Sequence, residues 1–315
     1  MLLSCSFVCK QLFFVTGINE LVRGVNRGDF KSLARAITIV ENELEGYDEI
    51  LVSLQTNSAV PVIGITGPPG AGKSTLINSL VNYFTDKKKK IAVVAIDPTS
   101  PFNFGSLLGD RLRLSEFFTH AEVFIRSLAT RGSLGGLCEK IIEVTDVLRN
   151  SNFDYIFVET VGVGQSEVEI AGLADTTVVV FVPESGDDIQ TMKSGIMEIA
   201  DIFVVNKSDR EGADRFVMSL HHLIRAQQKN GWVVPVVQTS ATNRSGIDEL
   251  ANQMEKHISS NILSEKKIFL LAEKAYRLVQ RERMKEVSKE KIQDSIRRHV
   301  TEEDFNLYKF VKSLA

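Results

Sequence analysis

A glycine-rich segment at residues 67–74 limits the possible folds of this chain more than any other part of it. The segment reads Gly-Pro-Pro-Gly-Ala-Gly-Lys-Ser, and it joins an apolar run, Val62–Thr66, to a helical pattern that opens with Thr75. This order of strand, G-x-x-x-x-G-K-[ST] loop and helix predicts a phosphate-binding loop, because glycines let consecutive N–H groups point at phosphate oxygens. We expect Lys73 to reach the β- and γ-phosphates and the Ser74 hydroxyl to ligate Mg²⁺. The residues predicted to bind the triphosphate are Gly67, Pro68, Pro69, Gly70, Ala71, Gly72, Lys73, Ser74 and Thr75.

Six short apolar runs, most of them rich in Val and Ile, predict strands. They are Pro61–Thr66, Ile91–Ile96, Tyr155–Glu159, Thr176–Val182, Ile202–Val205 and Val233–Val237. The runs are continuous rather than alternating, which is typical of strands that are buried on both faces. Most are separated from the next by a segment long enough for a helix, as in parallel sheets with helical crossovers. The sequence therefore predicts an α/β fold, a mostly parallel sheet with helices on both faces.

Helical patterns flank the predicted sheet at both ends. Between Ile18 and Leu54 the apolar residues recur at helical spacing on either side of a break at residues 26–29, which predicts two helices, the second passing through Leu44. From Ser264 onward the sequence is highly charged, contains neither Gly nor Pro and predicts a helical arm. The predicted organisation is an unassigned extension at 1–17, an N-terminal helical region at 18–58, a nucleotide-binding domain at 59–263 and the arm at 264–315.

The composition excludes several classes of function. The 315 residues include 37 Lys and Arg against 40 Asp and Glu, so a generally cationic surface for nucleic acid is not expected. No stretch approaches the roughly 20 consecutive apolar residues of a membrane span. The apolar N-terminus lacks the positive start and the cleavage pattern of a signal peptide, and three scattered cysteines suit a reducing compartment. We therefore expect a cytoplasmic protein that binds neither nucleic acid nor a membrane.

Residues 206–209 read Asn-Lys-Ser-Asp, follow the predicted strand Ile202–Val205 and match the N-K-x-D pattern of GTP-binding proteins. Guanine offers N1–H and N2–H₂ donors on one edge, and an Asp carboxylate can accept from both, whereas adenine presents an acceptor at N1. The next predicted strand is followed by Thr-Ser-Ala at 239–241, which resembles the place where GTPases contact guanine O6 through backbone N–H groups. These patterns favour GTP over ATP. The residues predicted to bind the base are Asn206, Lys207, Asp209, Ser240, Ala241 and Thr242.

Three acidic residues are candidates for a metal site at the carboxyl edge of the sheet, where ligands of α/β proteins bind. Glu159 ends a predicted strand and opens Glu-Thr-Val-Gly, similar to the D-x-x-G element of GTPases, in which the acid holds Mg²⁺ through a water and the glycine, here Gly162, approaches the γ-phosphate. Asp97 follows another strand, and Asp110 lies in Gly-Asp-Arg. Asp97 before Pro98 also fits a helix N-cap, and Asp110 also fits a surface acid. The sequence leaves open which of the two approaches the metal.

Three further segments, Ala95–Ser100, Gly105–Arg111 and Val158–Glu167, together with the phosphate-binding loop, resemble the MeaB/ArgK family of GTPases in order and spacing. The methylmalonic aciduria type A protein belongs to the same group. The resemblance implies a P-loop GTPase core, a C-terminal dimerisation arm and hence a homodimer. It also implies hydrolysis of GTP to GDP and phosphate by a chaperone of an adenosylcobalamin-dependent acyl-CoA mutase, in this family methylmalonyl-CoA mutase.

The same resemblance implies that residues 126–132 and 186–193 sense the partner, the second of them as an additional switch. The chain also departs from the family. Met1–Gly17 matches nothing in it, Pro69 is a second proline in the loop where some relatives have other residues, and residues 183–185 precede the additional switch in a stretch expected to vary. These departures leave open how the additional switch engages a partner.

The hypothesised reaction is in-line attack of water on the γ-phosphate, with Gln165 as a candidate to position the water. The catalytic candidates are Lys73, Asp97, Asp110, Glu159 and Gln165, and the candidate metal ligands are Ser74, Asp97, Asp110 and Glu159. One alternative is a nickel-delivery GTPase for hydrogenase or urease maturation, which shares the Glu-containing element but carries Cys/His clusters. The other is a nucleotide-dependent kinase linked to amino-acid transport, which requires an acceptor-binding domain for which no segment is left over.

Overall fold

Seven parallel strands form the centre of the described chain in a computed structural model. They are β1 (Val62–Thr66), β2 (Ile91–Asp97), β3 (Val123–Ala129), β4 (Tyr155–Glu159), β5 (Thr176–Phe181), β6 (Ile202–Val205) and β7 (Val236–Gln238). Their order across the sheet is β3-β2-β4-β1-β5-β6-β7, and every neighbouring pair is parallel. This arrangement confirms the predicted α/β fold class.

The structure describes residues 17–55, 60–97, 111–129, 138, 140–161, 170–186, 196–224, 231–260, 263–284, 287–300 and 305–314. The helices are α1 (residues 17–26), α2 (Phe30–Glu41), α3 (Tyr47–Ser53), α4 (Lys73–Asp86), α5 (Ile141–Arg149), α6 (Ile196–Ile199), α7 (Ala213–Ile224), α8 (Ile247–Ser259), α9 (Leu263–Met284), α10 (Lys289–His299) and α11 (Leu307–Leu314). Short 3₁₀ helices span Arg111–Phe117, Ile170–Gly172 and Pro183–Gly186.

The sheet has an apolar core on each face, which is why its strands read as continuous apolar runs. All five residues of β1 and all six of β5 are buried. On one face the core includes Leu33 of α2 and Val144 of α5. On the other it includes Leu76 of α4 and Leu250 of α8. Strands buried on both faces contribute apolar side chains in both directions, so the period-2 alternation of a half-exposed sheet is lost.

The prediction of two helices between Ile18 and Leu54 was wrong, because the chain forms three. The second predicted helix is divided between α2 and α3. Glu43 and Gly46 have φ values of 48° and 92°, which end the helical conformation, and Leu44 is 48% exposed rather than part of the apolar face. Helical spacing alone cannot show this break, because Leu44 keeps the period while the backbone leaves the helical conformation at Glu43 and Gly46.

The two edge strands differ from the sequence prediction for separate reasons. β3 was not predicted, because Arg126 and Ser127 interrupt its apolar run. It is an edge strand that pairs with β2 alone, so it is less buried than the central strands. β7 begins at Val236 rather than Val233, because Pro235 lacks the N–H group that a ladder position needs. The Pro235 carbonyl still accepts a hydrogen bond of 2.9 Å from Phe203 N.

The chain divides into two compact units, Met1–Lys267 and Ile268–Ala315. The sequence prediction of helices after Ser264 agrees with α9, α10 and α11, while the bounds of the four predicted segments stay predictions. In the second unit Ser288 caps the N-terminus of α10, and its side chain accepts a hydrogen bond from Lys291 N. Among the residues that the structure describes, no helix combines the length and the apolar character that crossing a membrane requires.

Candidate functional site

The loop between β1 and α4 turns at glycines whose conformation other residues rarely adopt. Gly67 has a φ of 140° and Gly72 a φ of 86°. A Cβ atom on Gly67 would collide with the carbonyl oxygen of Val180, and one on Gly72 would lie 2.5 Å from Asn206 Nδ2. Gly72 has no side chain that could cap α4, and the N-terminus of a helix is a place where anions bind.

Lys73, the first residue of α4, lies within this loop. Its side chain is buried, and Nζ donates hydrogen bonds to the carbonyl oxygens of Gly67 at 2.8 Å and Pro68 at 3.1 Å. An ammonium group buried among backbone carbonyls is a fixed positive charge at the carboxyl end of β1. Phosphate oxygens are acceptors that an ammonium group prefers to neutral carbonyls, so this lysine is placed to exchange partners when a phosphate arrives.

The side chains of Ser74 and Glu159 contact each other at the end of the same loop. The Ser74 hydroxyl donates a 2.6 Å hydrogen bond to Glu159 Oε1, and both side chains are buried. Glu159 ends β4, which pairs with β1 in the register Ile65 with Glu159. The parallel pairing therefore brings a residue 85 positions away in sequence to the start of α4.

A cleft of about 370 Å³ opens above these side chains. The lining residues come from the loop, from the ends of β2 and β4 and from the segment after β6. They are Pro69, Gly70, Gly72, Lys73, Ser74, Thr75, Ala95, Ile96, Glu159, Thr160, Val161 and Lys207. The cleft thus lies at the carboxyl edge of the sheet, as parallel α/β topology requires.

Thr160 lines the cleft, and Asp97 lies one residue beyond the lining residue Ile96. Asp97 is fully buried at the end of β2, two residues beyond Ala95, which pairs with Glu159 across the sheet. Thr160 was not among the predicted site residues; its hydroxyl donates to Thr66 Oγ1 at 2.9 Å, and its N–H donates to the Ile65 carbonyl. The only sequence signal for Thr160 is its place directly after the acid.

Asn206 links the phosphate-binding loop to the loop after β7. Its Nδ2 donates to the Ala71 carbonyl at 2.9 Å. Its Oδ1 accepts from Thr239 Oγ1 at 3.2 Å and from Ala241 N at 3.1 Å. Since Asn206 is 2% exposed, these contacts hold it as a structural bridge rather than as a solvent-facing group.

Lys207 and Asp209 take different positions from Asn206. Lys207 adopts a φ of 56° and donates from Nζ to the Gly70 carbonyl at 2.8 Å, so it crosses the rim of the cleft. Asp209 is exposed, and its Oδ1 accepts a 2.6 Å hydrogen bond from Ser240 Oγ. That hydrogen bond lowers the pKa of Asp209 below the ordinary value of an aspartate, so the carboxylate is charged at neutral pH and faces solvent.

An ion pair joins Arg210, which follows the predicted base-binding residue Asp209, to Glu184, which precedes the predicted additional switch. Arg210 donates from Nη1 to Glu184 Oε1, and this contact lowers the pKa of Glu184. Glu184 belongs to the 3₁₀ helix Pro183–Gly186. Both side chains are about half exposed, so the pair contributes little to stability.

A family model described as methylmalonyl Co-A mutase-associated GTPase MeaB matches residues 33–303. The chain belongs to the MeaB family of GTPases. A putative GTPase of Pyrococcus abyssi is 49% identical over 246 residues, which are 76% of this chain and 76% of that protein. The mitochondrial methylmalonic aciduria type A homolog of mouse is 34% identical over 261 residues, 76% of this chain and 62% of that protein.

A solved structure supports the fold of this MeaB-family GTPase. The crystal structure of a LAO/AO transport system kinase aligns with a TM-score of 0.67 and covers 95% of this chain and 96% of that chain at 23% identity. Likeness at that identity concerns the fold. The family membership and the fold together confirm the predicted enzyme class, a P-loop GTPase that binds GTP and GDP.

The oxygen donors of the MeaB-family site suit Mg²⁺. This ion is usually held by one or two carboxylates and a hydroxyl together with substrate phosphates and waters. Ser74 and Glu159 supply a hydroxyl and a carboxylate in contact with each other. In the described part of the chain no three His, Cys, Asp or Glu side chains gather into a metal-binding group.

The predicted residues of this MeaB-family site fall into three groups. Asp110, Gly162 and Gln165 lie outside the described residues, as do residues 130–132 and 187–193 of the two segments that are predicted to sense the partner. The structure brings the predicted loop, Glu159 and Lys207 to one cleft. It sets Asp209, Ser240 and the exposed Thr242 on a separate rim, linked to the cleft through Asn206.

Proposed function

We propose that this MeaB-family GTPase binds GTP with its phosphates on the loop at 67–75 and hydrolyses it while serving as a chaperone of an adenosylcobalamin-dependent acyl-CoA mutase. Methylmalonyl-CoA mutase is the specific candidate, because the matching family is described by its association with that enzyme. The observation that carries the proposal is the cleft, which gathers Lys73, Ser74 and Glu159 at the carboxyl edge of the sheet.

Lys73 and the N-terminus of α4 would hold the triphosphate. The ammonium group now donates to two loop carbonyls, and it would exchange these for β- and γ-phosphate oxygens. Ser74 and Glu159 would hold Mg²⁺, with Asp97 or Asp110 as a further ligand. When bound, Mg²⁺ neutralises charge on the phosphate oxygens.

Hydrolysis would proceed by attack of a water oxygen on the γ-phosphorus, in line with the bridging oxygen. The bond between phosphorus and that oxygen breaks, its electron pair stays on GDP, and the water proton leaves with the phosphate or to solvent. Gln165 is the candidate to orient the water. The α4 N–H groups and Lys73 would stabilise the charge that develops on the transferred group.

Guanine would bind at the rim that Asp209 and Ser240 form. The Asp209 carboxylate is charged and exposed, and Ser240 holds it from one side. It would accept from the N1–H and N2–H₂ groups of guanine, while a backbone N–H group at 240–242 donates to O6. An adenine base would place an acceptor against the same carboxylate, which accounts for selectivity.

The partner and the assembly form a further part of the proposal. The mouse relative is named for methylmalonic aciduria type A, which supports a role beside methylmalonyl-CoA mutase. The second compact unit carries exposed apolar side chains such as Ile268, Tyr276 and Val279, which supports a homodimer formed through the C-terminal arm. A cytoplasmic location stays a prediction.

The decisive experiment measures GTP turnover with and without a methylmalonyl-CoA mutase from the same organism. We expect the mutase to raise turnover severalfold, and a Lys73→Ala variant to show no turnover in either condition. If every adenosylcobalamin-dependent mutase of the organism leaves the rate unchanged, the chaperone role is wrong. Tight nickel binding in the same preparation would favour the nickel-delivery alternative instead.

A further inference from the structure

We infer that Ser79 is a positioning residue that fixes the loop after β7 for contact with guanine O6. Ser79 lies in the second turn of α4 and is 4% exposed. Its hydroxyl donates to the Ala241 carbonyl at 2.7 Å and lies 3.1 Å from the Thr75 carbonyl. A hydroxyl has one proton, so the shorter contact to Ala241 is the principal hydrogen bond.

Ala241 is held on both sides of its α-carbon. Its N–H donates to Asn206 Oδ1 at 3.1 Å, and its carbonyl accepts from Ser79 Oγ at 2.7 Å and, over the longer distance of 3.3 Å, from Arg244 N. In a trans peptide the C=O and the following N–H point in opposite directions. When Ser79 draws the Ala241 carbonyl toward α4, it therefore turns the N–H of Thr242 away from that helix. Thr242 is exposed, so this N–H is the donor that the geometry offers to a base on the rim.

Through the contact between Ser79 and Ala241, α4 would take part in binding both the phosphates and the base. Lys73 opens α4 at the phosphate-binding loop, and Ser79 follows about 9 Å further along the same axis. The first turn of α4 would meet the phosphates while the second holds the loop that reads the base. Asn206 adds a parallel connection from Ala71 to Ala241. This inference rests on the base site described under the proposed function, and it assigns to Ser79 the orientation of the O6 donor.

The test compares Ser79→Ala with Thr85→Ala on the same helix. The Thr85 hydroxyl also bonds backbone carbonyls, those of Val81 and Asn82, but it stays within α4. Dissociation constants are measured for GTP, for ITP, which keeps O6 and lacks the 2-amino group, and for 6-thio-GTP, which keeps the Asp209 edge and has sulfur in place of O6. The melting temperature of each variant is recorded, and Ser79→Thr, which keeps a hydroxyl, is included as a rescue.

We expect Ser79→Ala to weaken the binding of GTP and of ITP by the same factor, about tenfold. It should weaken the binding of 6-thio-GTP much less. The GTP to 6-thio-GTP preference should therefore fall in Ser79→Ala and stay at the wild-type value in Thr85→Ala. An equal loss for all three nucleotides, or no loss, overturns the inference. An Asp209→Asn variant measured in parallel separates the two proposals: if it turns preference toward xanthine while Ser79→Ala changes no ratio, only the role of Ser79 is wrong. If Asp209→Asn has no effect on base preference, the base site itself is wrong.

Discussion

The Ser74 hydroxyl donates a 2.6 Å hydrogen bond to Glu159 Oε1, which joins the first turn of α4 directly to the end of β4. Most GTPases have the shorter Asp where this chain has Glu159. The additional methylene lets the carboxylate reach the serine without a bridging group. The two oxygens proposed to bind Mg²⁺ therefore lie in mutual contact, and the ion would have to separate them when it binds.

A Glu159→Gln variant tests this relationship. The amide keeps the size of the side chain and one acceptor oxygen, but it removes the charge that attracts the metal. We expect the Mg²⁺ concentration for half-maximal GTP hydrolysis to rise by about 10- to 100-fold and maximal turnover to fall. Steady-state phosphate release across a Mg²⁺ titration measures both quantities.

The matched control for that experiment is Glu116→Gln, which changes an exposed acid on the 3₁₀ helix Arg111–Phe117. It should leave the Mg²⁺ dependence as in the wild type. An unchanged Mg²⁺ dependence in Glu159→Gln would contradict the assignment of Glu159 as a metal ligand.

Lys73→Ala should remove tight binding of GTP. The ammonium group is the only part of the Lys73 side chain that can donate to phosphate, and two charge-assisted hydrogen bonds correspond to about 100-fold in affinity or more. Fluorescent GTP analogues measure the dissociation constant directly. Lys256→Ala, which removes an exposed lysine on α8, is the control and should bind as the wild type does. Equal affinities in the two variants would remove Lys73 from the phosphate site.

Asp209→Asn should shift base preference from guanine toward xanthine. An amide can donate to the carbonyl oxygen that xanthine carries at C2, whereas it repels the N2–H₂ group of guanine. We expect GTP affinity to fall by about 100-fold and XTP affinity to rise. Competition binding with GTP, XTP and ATP gives the ratios, with Asp214→Asn, an exposed acid on α7, as the control. A GTP to XTP ratio equal to that of the control would show that Asp209 does not read the base.

The parts of the molecule that local chemistry dictates could be predicted from the sequence. The conformation of a glycine at positive φ depends mainly on residues nearby in the sequence. The same holds for the position of a lysine at the start of a helix and of an acid at the end of a strand. The strands Tyr155–Glu159 and Ile202–Val205 were predicted with the bounds that the structure has. Both are buried runs whose character does not depend on which strand lies beside them.

The parts that depend on contacts far apart in sequence could not be predicted. β3 exists because β2 supplies its ladder, and Arg126 within it donates to Glu41 Oε2 on α2 at 2.6 Å. Ser79 looks like an ordinary polar residue of α4 until Ala241, 162 positions later, is brought against it. No periodicity or motif marks such a residue, since its partner is set by the sheet order.

The single tryptophan of the chain, Trp232, lies beside a buried polar cluster at the other end of the strands from the cleft. Its ring contacts His257 at a centroid distance of 4.9 Å, and its Nε1 donates to the Asp201 carbonyl. His257 Nδ1 lies 2.8 Å from Thr176 Oγ1, and Nε2 lies 3.6 Å from Asp201 Oδ1. A His257→Phe variant keeps a ring against Trp232 but loses both polar contacts.

We expect His257→Phe to lower the free energy of unfolding by about 1–3 kcal/mol, because the carboxylate and the hydroxyl lose a buried partner. Urea unfolding followed by Trp232 fluorescence and by circular dichroism measures the change, with the exposed His222→Gln as control. GTP affinity should stay at the wild-type value, since Thr176 begins β5 while the cleft lies at the carboxyl edge of the sheet. A loss of GTP affinity with unchanged stability would contradict a purely structural role for the cluster.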